Sequence, residues 1–89
     1  MNLVVIHRDI KPANIFIKDG LPKLADFGFA ICKTLNSNAV DHYNVGTPIY
    51  MAPESLIQNQ YSFRSDLWAA GIILYEMIFK MLPFPGKTE

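Results

Sequence analysis

A single cysteine, Cys32, is all the thiol this chain of 89 residues contains. That excludes an internal disulfide and any zinc site built from several thiolates. A lone thiol suits a reducing compartment, so the chain is expected inside the cell, in the cytoplasm. Charge is also scarce. Asp, Glu, Lys and Arg make up 18% of the residues, against about 25% in an average globular chain. The basic and acidic residues number 8 each and cancel. No field of one sign draws in nucleic acid or an anionic bilayer, and neither is expected as a partner. A long apolar run is missing as well. The stretch from Leu67 to Leu82 is interrupted by Glu76 and Lys80 and falls short of the roughly 20 residues a membrane helix needs. Leu3 to Ile6 is too short for a signal-peptide core and has no basic residue before it. No internal repeat and no low-complexity tract interrupts the chain.

What is present is apolar: 51% of the residues are hydrophobic. A domain of this size buries only roughly 60–65% of the surface its unfolded chain exposes. A small free-standing domain should therefore be more charged than average. This one is less charged, and it reads like the interior of something larger.

Leu3 to Ile6 is a short strand candidate, and Ile15 to Lys18 is another. Asp19-Gly20 is a strong hairpin turn signal, with Pro22 to Ala25 as the return strand. That hairpin would bring Asn14 and Asp26 together at its open end. Lys33 to Asn44 is mostly polar and reads as a long loop, of the kind that usually carries function. Ala52 to Ile57 suits a short helix with Pro53 in its first turn. Ser65 is an N-cap candidate for a helix from about Asp66 to Lys80. Leu67, Ala70, Gly71, Leu74, Ile78 and Met81 follow the helical period, and Trp68, Ile72, Ile73, Met77 and Phe79 fill the opposite side. A helix apolar all round is expected to be a buried central helix. Glu76 and Lys80 stand in the favourable orientation for a pair one turn apart. Cys32 reads as a small buried hydrophobe.

Chemistry enters with the order of several short motifs. His7-Arg8-Asp9, followed after a gap by Asn14, matches H-R-D-x-x-x-x-N; Asp26-Phe27-Gly28 matches D-F-G; Ala52-Pro53-Glu54 matches A-P-E. Asp66-x-Trp68-x-x-Gly71 closes the series. Each triplet alone is weak, and Asp9, Lys11 and Asn14 taken singly are better explained as turn residues and a solvated charge. Together, in this order, they make the chain resemble the C-terminal lobe of eukaryotic protein kinases over nearly its whole length.

The resemblance implies an α+β fold, a partial kinase lobe with a catalytic-loop hairpin, an activation segment and a buried central helix. Residues 1–89 would form an incomplete kinase domain without the ATP-covering lobe or the late helices. The implied activity is transfer of the ATP γ-phosphate to a protein serine or threonine hydroxyl, with ATP and Mg2+ as cofactors. Asp9 would accept the substrate proton, Lys11 would neutralise charge on the γ-phosphate, and Asn14 and Asp26 would hold magnesium through hard oxygens. Phe16 falls at the position under the adenine, a role compatible with an ordinary strand core. His7 and Phe27 would stack in the hydrophobic spine, and for His7 a satisfied core histidine is the simpler reading.

The same resemblance gives Arg8 a phosphate on the activation loop to pair with, supplied by Thr34 or Ser37. Thr47, within Gly46-Thr47-Pro48-Ile49-Tyr50-Met51, would bond Asp9 and Lys11, and this pattern together with Lys11 argues for Ser/Thr specificity. Asp66 would accept backbone N–H groups from the catalytic loop, besides suiting a helix N-terminus. Glu54 in this family pairs with a late arginine, and Arg8 and Arg64 do not occupy that place. The chain contains no G-x-G-x-x-G loop, no Val-Ala-Ile-Lys strand and no helix glutamate to pair with its lysine. It is therefore expected to be inactive alone. The alternative is a catalytically dead remnant serving as a binding or interfering module. An unrelated small α+β binding domain would have to produce the ordered motifs by coincidence.

Overall fold

The computed structural model describes residues 3–34 and 44–84. Four short strands pair into two separate ribbons. β1 (Leu3–Ile6) runs antiparallel to β4 (Ile31–Thr34), with Leu3 opposite Thr34 and Ile6 opposite Ile31. β2 (Ile15–Lys18) and β3 (Leu21–Leu24) form the hairpin expected from Asp19-Gly20. Both turn residues take positive φ, 54° at Asp19 and 77° at Gly20. Positive φ at both central positions is the turn whose twist matches two antiparallel strands. A 3-10 turn, Pro12–Asn14, leads into β2.

The β1–β4 pairing corrects the expected loop. Lys33 and Thr34 lie within β4 rather than in a polar connection. Ile31 and Cys32 extend the chain into β geometry, and β1 supplies the partner edge that a local reading of the polar residues cannot see. Cys32 is exposed, not a buried hydrophobe. Strand alternation turns its neighbours Ile31 and Lys33 toward the half-buried face and Cys32 away from it.

A second 3-10 turn, Pro48–Tyr50, precedes α1 (Pro53–Gln58), which carries Pro53 in its first turn as expected. α2 spans Phe63–Phe79. Its N-cap is Ser62, three residues before the Ser65 expected from the sequence. The Ser62 hydroxyl accepts the Arg64 N–H at 3.1 Å, and the Ser65 hydroxyl accepts the Ser62 N–H at 2.9 Å. Ser65 thus takes part in a reciprocal capping box from inside the first turn, and the extended backbone at Ser62 marks the real entry. At the other end Lys80 adopts a left-handed conformation (φ 59°) as the C-cap. It forms no ion pair with Glu76 among the described residues, and the Glu76 carboxylate accepts the Tyr50 hydroxyl at 2.9 Å.

The core is small. Ile6, Met51 and Tyr61 form its centre, with Val4, Ile31, Val45 and Leu56 packed around them. α2 contributes a single buried stripe of Ser65, Ala69 and Ile72, facing β1 and the Pro48–Tyr50 turn. The expected all-round burial of this helix is corrected: Leu67, Leu74, Met77, Ile78 and Phe79 are each more than half exposed. Periodicity reports which faces are apolar, whereas burial needs a second layer, and the described residues supply a layer on one side only. No helix among them is long and apolar enough to cross a membrane.

Candidate active site

The segment His7 to Asn14 joins β1 to β2 and is held from both ends. Arg8 sits at φ 72°, a conformation that costs an L-residue roughly 1–2 kcal/mol. The reversal aims two consecutive amides at one acceptor: the Asp66 carboxylate takes the His7 N–H at 2.7 Å and the Arg8 N–H at 3.1 Å. Successive N–H groups turned to one side form a natural anion nest. Asp66 lies in the first turn of α2, where the helix dipole also favours a carboxylate. The buried stripe of α2 therefore fixes the height of the loop above the core.

His7 is buried and locks the next corner. Its Nδ1 accepts the Asp9 N–H at 3.1 Å and its Nε2 lies 2.8 Å from the Ala25 carbonyl. An amide can only donate and a carbonyl only accept, so the proton sits on Nε2. The Phe27 ring meets the imidazole edge-on, with centroids 4.8 Å apart. His7 and Phe27 are in contact, edge-on rather than stacked as expected, and His7 is a satisfied buried histidine.

Asp9, Lys11, Asn14 and Thr47 form one network. The Thr47 hydroxyl donates to Asp9 Oδ1 at 2.9 Å and accepts from Lys11 Nζ at 2.9 Å. Lys11 Nζ also lies 3.7 Å from Asp9 Oδ2. The Asn14 side-chain amide donates to the Asp9 carbonyl at 2.8 Å and to Asp9 Oδ2 at 3.3 Å. Both donors of the Asn14 amide are used toward Asp9, and its oxygen has no hydrogen bond among the described residues. The Asn14 carbonyl takes the Ala25 N–H at 2.8 Å, which closes the hairpin at its open end, and Asp26 is the residue after Ala25. Asp26 is exposed, at φ 58°, with Oδ1 accepting the Gly28 N–H at 3.3 Å. Phe16, on the outer face of β2, is 57% exposed. It is not a covered strand core residue here, and its face is open.

Thr47 owes its position to a close approach. Gly46 has φ 119°, and a Cβ on it would stand 2.8 Å from the Arg8 carbonyl oxygen. Only glycine fits there, and it lets Val45 to Thr47 lie directly on the loop. A cavity of about 20 Å³ remains beneath, lined among others by Arg8, Asp9, Thr47, Tyr61 and Asp66. It is the size of one water and is not a nucleotide site.

Among the described residues, Arg8 meets no loop hydroxyl. Its Nε donates to the Phe29 carbonyl at 2.6 Å, and its guanidinium lies over the Tyr61 ring, 5.0 Å from the centroid. Thr34 is at the opposite end of the β1–β4 ribbon, paired with Leu3, and is a strand residue rather than a loop one. Ser37 lies outside the described residues. Glu54 stands in the first turn of α1 and has no ion pair among the described residues.

Sequence reading passed over three participants: Tyr50, Tyr61 and Glu76 in its actual role. Burial and the neighbouring Glu76 carboxylate, which accepts its hydrogen bond, raise the Tyr50 phenol above the usual tyrosine value. The signal for Tyr61 was available, since a tyrosine taken into a core usually finds a partner for its hydroxyl.

Residues 2–89 match the family model described as protein kinase domain. The chain is 46% identical over 97% of its length to a probable serine/threonine-protein kinase nek2 of Dictyostelium discoideum. It is 42% identical over 98% to the G2-specific protein kinase nimA of Emericella nidulans. It is 37% identical over 96% to the serine/threonine-protein kinase ATG1b of Arabidopsis thaliana. The chain spans 20%, 12% and 12% of the lengths of these relatives. With this match along the whole chain, and with the motif residues drawn together around Asp9, the chain belongs to the protein kinase family, as a segment of a serine/threonine kinase domain.

Proposed function

We propose that residues 1–89 are the part of a kinase C-terminal lobe that runs from the catalytic loop to the central helix, and that they carry out transfer of the ATP γ-phosphate to serine or threonine of a protein substrate within a larger domain. The observation that carries this reading is the Thr47 hydroxyl bonded to both Asp9 and Lys11 at 2.9 Å. A base and a cation are thereby held side by side at one surface. Phosphoryl transfer asks for positioning and charge neutralisation more than for covalent chemistry.

Asp9 accepts the proton of the incoming hydroxyl, and its hydrogen bond from Thr47 holds the carboxylate at a set angle. Lys11 places positive charge where the γ-phosphate oxygens gather. The residues present fit magnesium. Asn14 has an amide oxygen that makes no hydrogen bond among the described residues, and Asp26 offers an exposed carboxylate. Magnesium needs few protein oxygens, since waters and phosphates complete its shell, so the lack of any cluster of three acidic, His or Cys side chains among the described residues is no obstacle. When bound, the metal neutralises phosphate charge and orients the transferring group. Phe16, with its open face, is the proposed floor for adenine. Thr34 and Ser37 remain proposed phosphate acceptors for Arg8; Arg8 would have to leave the Tyr61 ring, and Thr34 its place opposite Leu3 at the far end of the β1–β4 ribbon. A cytoplasmic location belongs to the same proposal and rests on the single thiol.

Asp9→Asn in the full-length protein tests the reading. It keeps the Asn14 contact to the main chain and removes the base. Turnover of a Ser/Thr peptide should fall about 100-fold or more, while ATP affinity holds. Undiminished turnover would rule out the role given to Asp9.

A further inference from the structure

Tyr61 belongs to none of the motifs, yet only 2% of it is exposed and it sits at the centre of the core. Its hydroxyl accepts the Val45 N–H at 2.7 Å and donates to the Val45 carbonyl at 2.7 Å. One phenol thus grips both polar groups of a single backbone residue. Its ring meanwhile carries the Arg8 guanidinium.

The two residues after Val45 complete the picture. Gly46 lies against the Arg8 carbonyl at a distance no other residue tolerates, and Thr47 bonds Asp9 and Lys11. Val45 and Thr47 are two residues apart, about 7 Å at full extension, so a shift at one reaches the other with little slack. Apolar packing of the Val45 side chain on the core is non-directional. The hydrogen bonds to Tyr61 are directional, and they fix the rotation of the backbone segment that presents Thr47.

We propose that Tyr61 is a positioning residue for phosphoryl transfer, its hydroxyl clamping Val45 and thereby setting where the Thr47 hydroxyl meets Asp9 and Lys11. The proposal rests on the kinase reading above. It assigns Tyr61 no contact with substrate or nucleotide. Its effect passes through Thr47.

The test is a double-mutant cycle in the full-length protein, with Tyr61→Phe, Thr47→Ala and the pair, reading kcat and the KM for ATP on a Ser/Thr peptide. Phenylalanine keeps the ring under Arg8 and deletes only the clamp. Expected is a fall in kcat of about tenfold for Y61F with the KM for ATP within about twofold, because misplacement acts on the reacting geometry and not on nucleotide binding. The pair should be no slower than Thr47→Ala alone. A residue that merely supports the core would reduce kcat by the same factor in both backgrounds, and that result, or an unchanged kcat in Y61F, overturns the proposal. Should Y61F not fold, replacing the Val45 amide by an ester deletes the N–H that Tyr61 accepts and leaves every side chain in place. The same fall in kcat is expected, and its absence overturns the proposal. No transfer by the unsubstituted protein would overturn the kinase reading and this proposal with it, whereas transfer that Y61F leaves intact overturns this proposal alone.

Discussion

Tyr50 and Glu76 illustrate how single residues tie the site to its support. The Tyr50 hydroxyl ends the turn that begins at Thr47 and anchors it to α2 through Glu76. Burial first, and then the carboxylate that accepts its hydrogen bond, raise the phenol above the ordinary 10.0. The folded protein therefore keeps this proton at a pH where the unfolded chain has released it. The resulting stabilisation is complete below the ordinary value and disappears as pH rises through the raised one. Urea midpoints of the full-length protein measured from neutral pH to above pH 10 should fall less steeply for Tyr50→Phe than for the unsubstituted protein. Parallel profiles would remove the role assigned to this pair. Among the catalytic candidates, the identities of Asp9, Lys11, Asn14 and Asp26 are legible from the sequence because motif order names them. The way they meet is not, because it depends on a left-handed Arg8 and on the close approach of Gly46. Neither leaves a local signature.

At the scale of elements, short-range rules worked where the partner is near in sequence. Asp19-Gly20 specifies the β2–β3 hairpin, and Pro53 opens α1. They failed where the partner is distant. β4 exists because β1, some 28 positions away, offers it an edge (Leu3 faces Thr34, Ile6 faces Ile31). The start of α2 was misread for a different reason: both Ser62 and Ser65 are good caps, and the reciprocal bonds between them decide which lies outside the helix. Ser62→Ala should destabilise the full-length protein by about 1 kcal/mol, read as a lower urea midpoint. Because α2 carries Asp66, the same change should loosen the loop that Asp66 holds. An unaltered midpoint would show that the cap is dispensable.

For the whole molecule the central fact is how little apolar surface the described residues cover. Ile57 is 82% exposed, and Ile17 and Met77 are 72% exposed each. Both sides of the β2–β3 hairpin and most of α2 share this character. Patches of this kind on soluble proteins mark contact surfaces. Residues 1–89 expressed alone should bind a hydrophobic dye, sediment as assemblies and transfer no phosphate to a Ser/Thr peptide. A monodisperse, active monomer in sedimentation and peptide assays would contradict this.

The sequence by itself determined the family, the order of the motifs, the hairpin and the names of the reactive side chains, because each rests on residue type and near-neighbour spacing. Its low charge also announced a chain with more apolar surface than it can bury. Tertiary structure alone decided the rest. It made Thr47 the bridge between Asp9 and Lys11, turned Arg8 onto Tyr61, gave Glu76 to Tyr50 and left Cys32 on the outside. In each case the partner lies far along the chain or on the other face of a strand, and only the packed backbone brings it within reach.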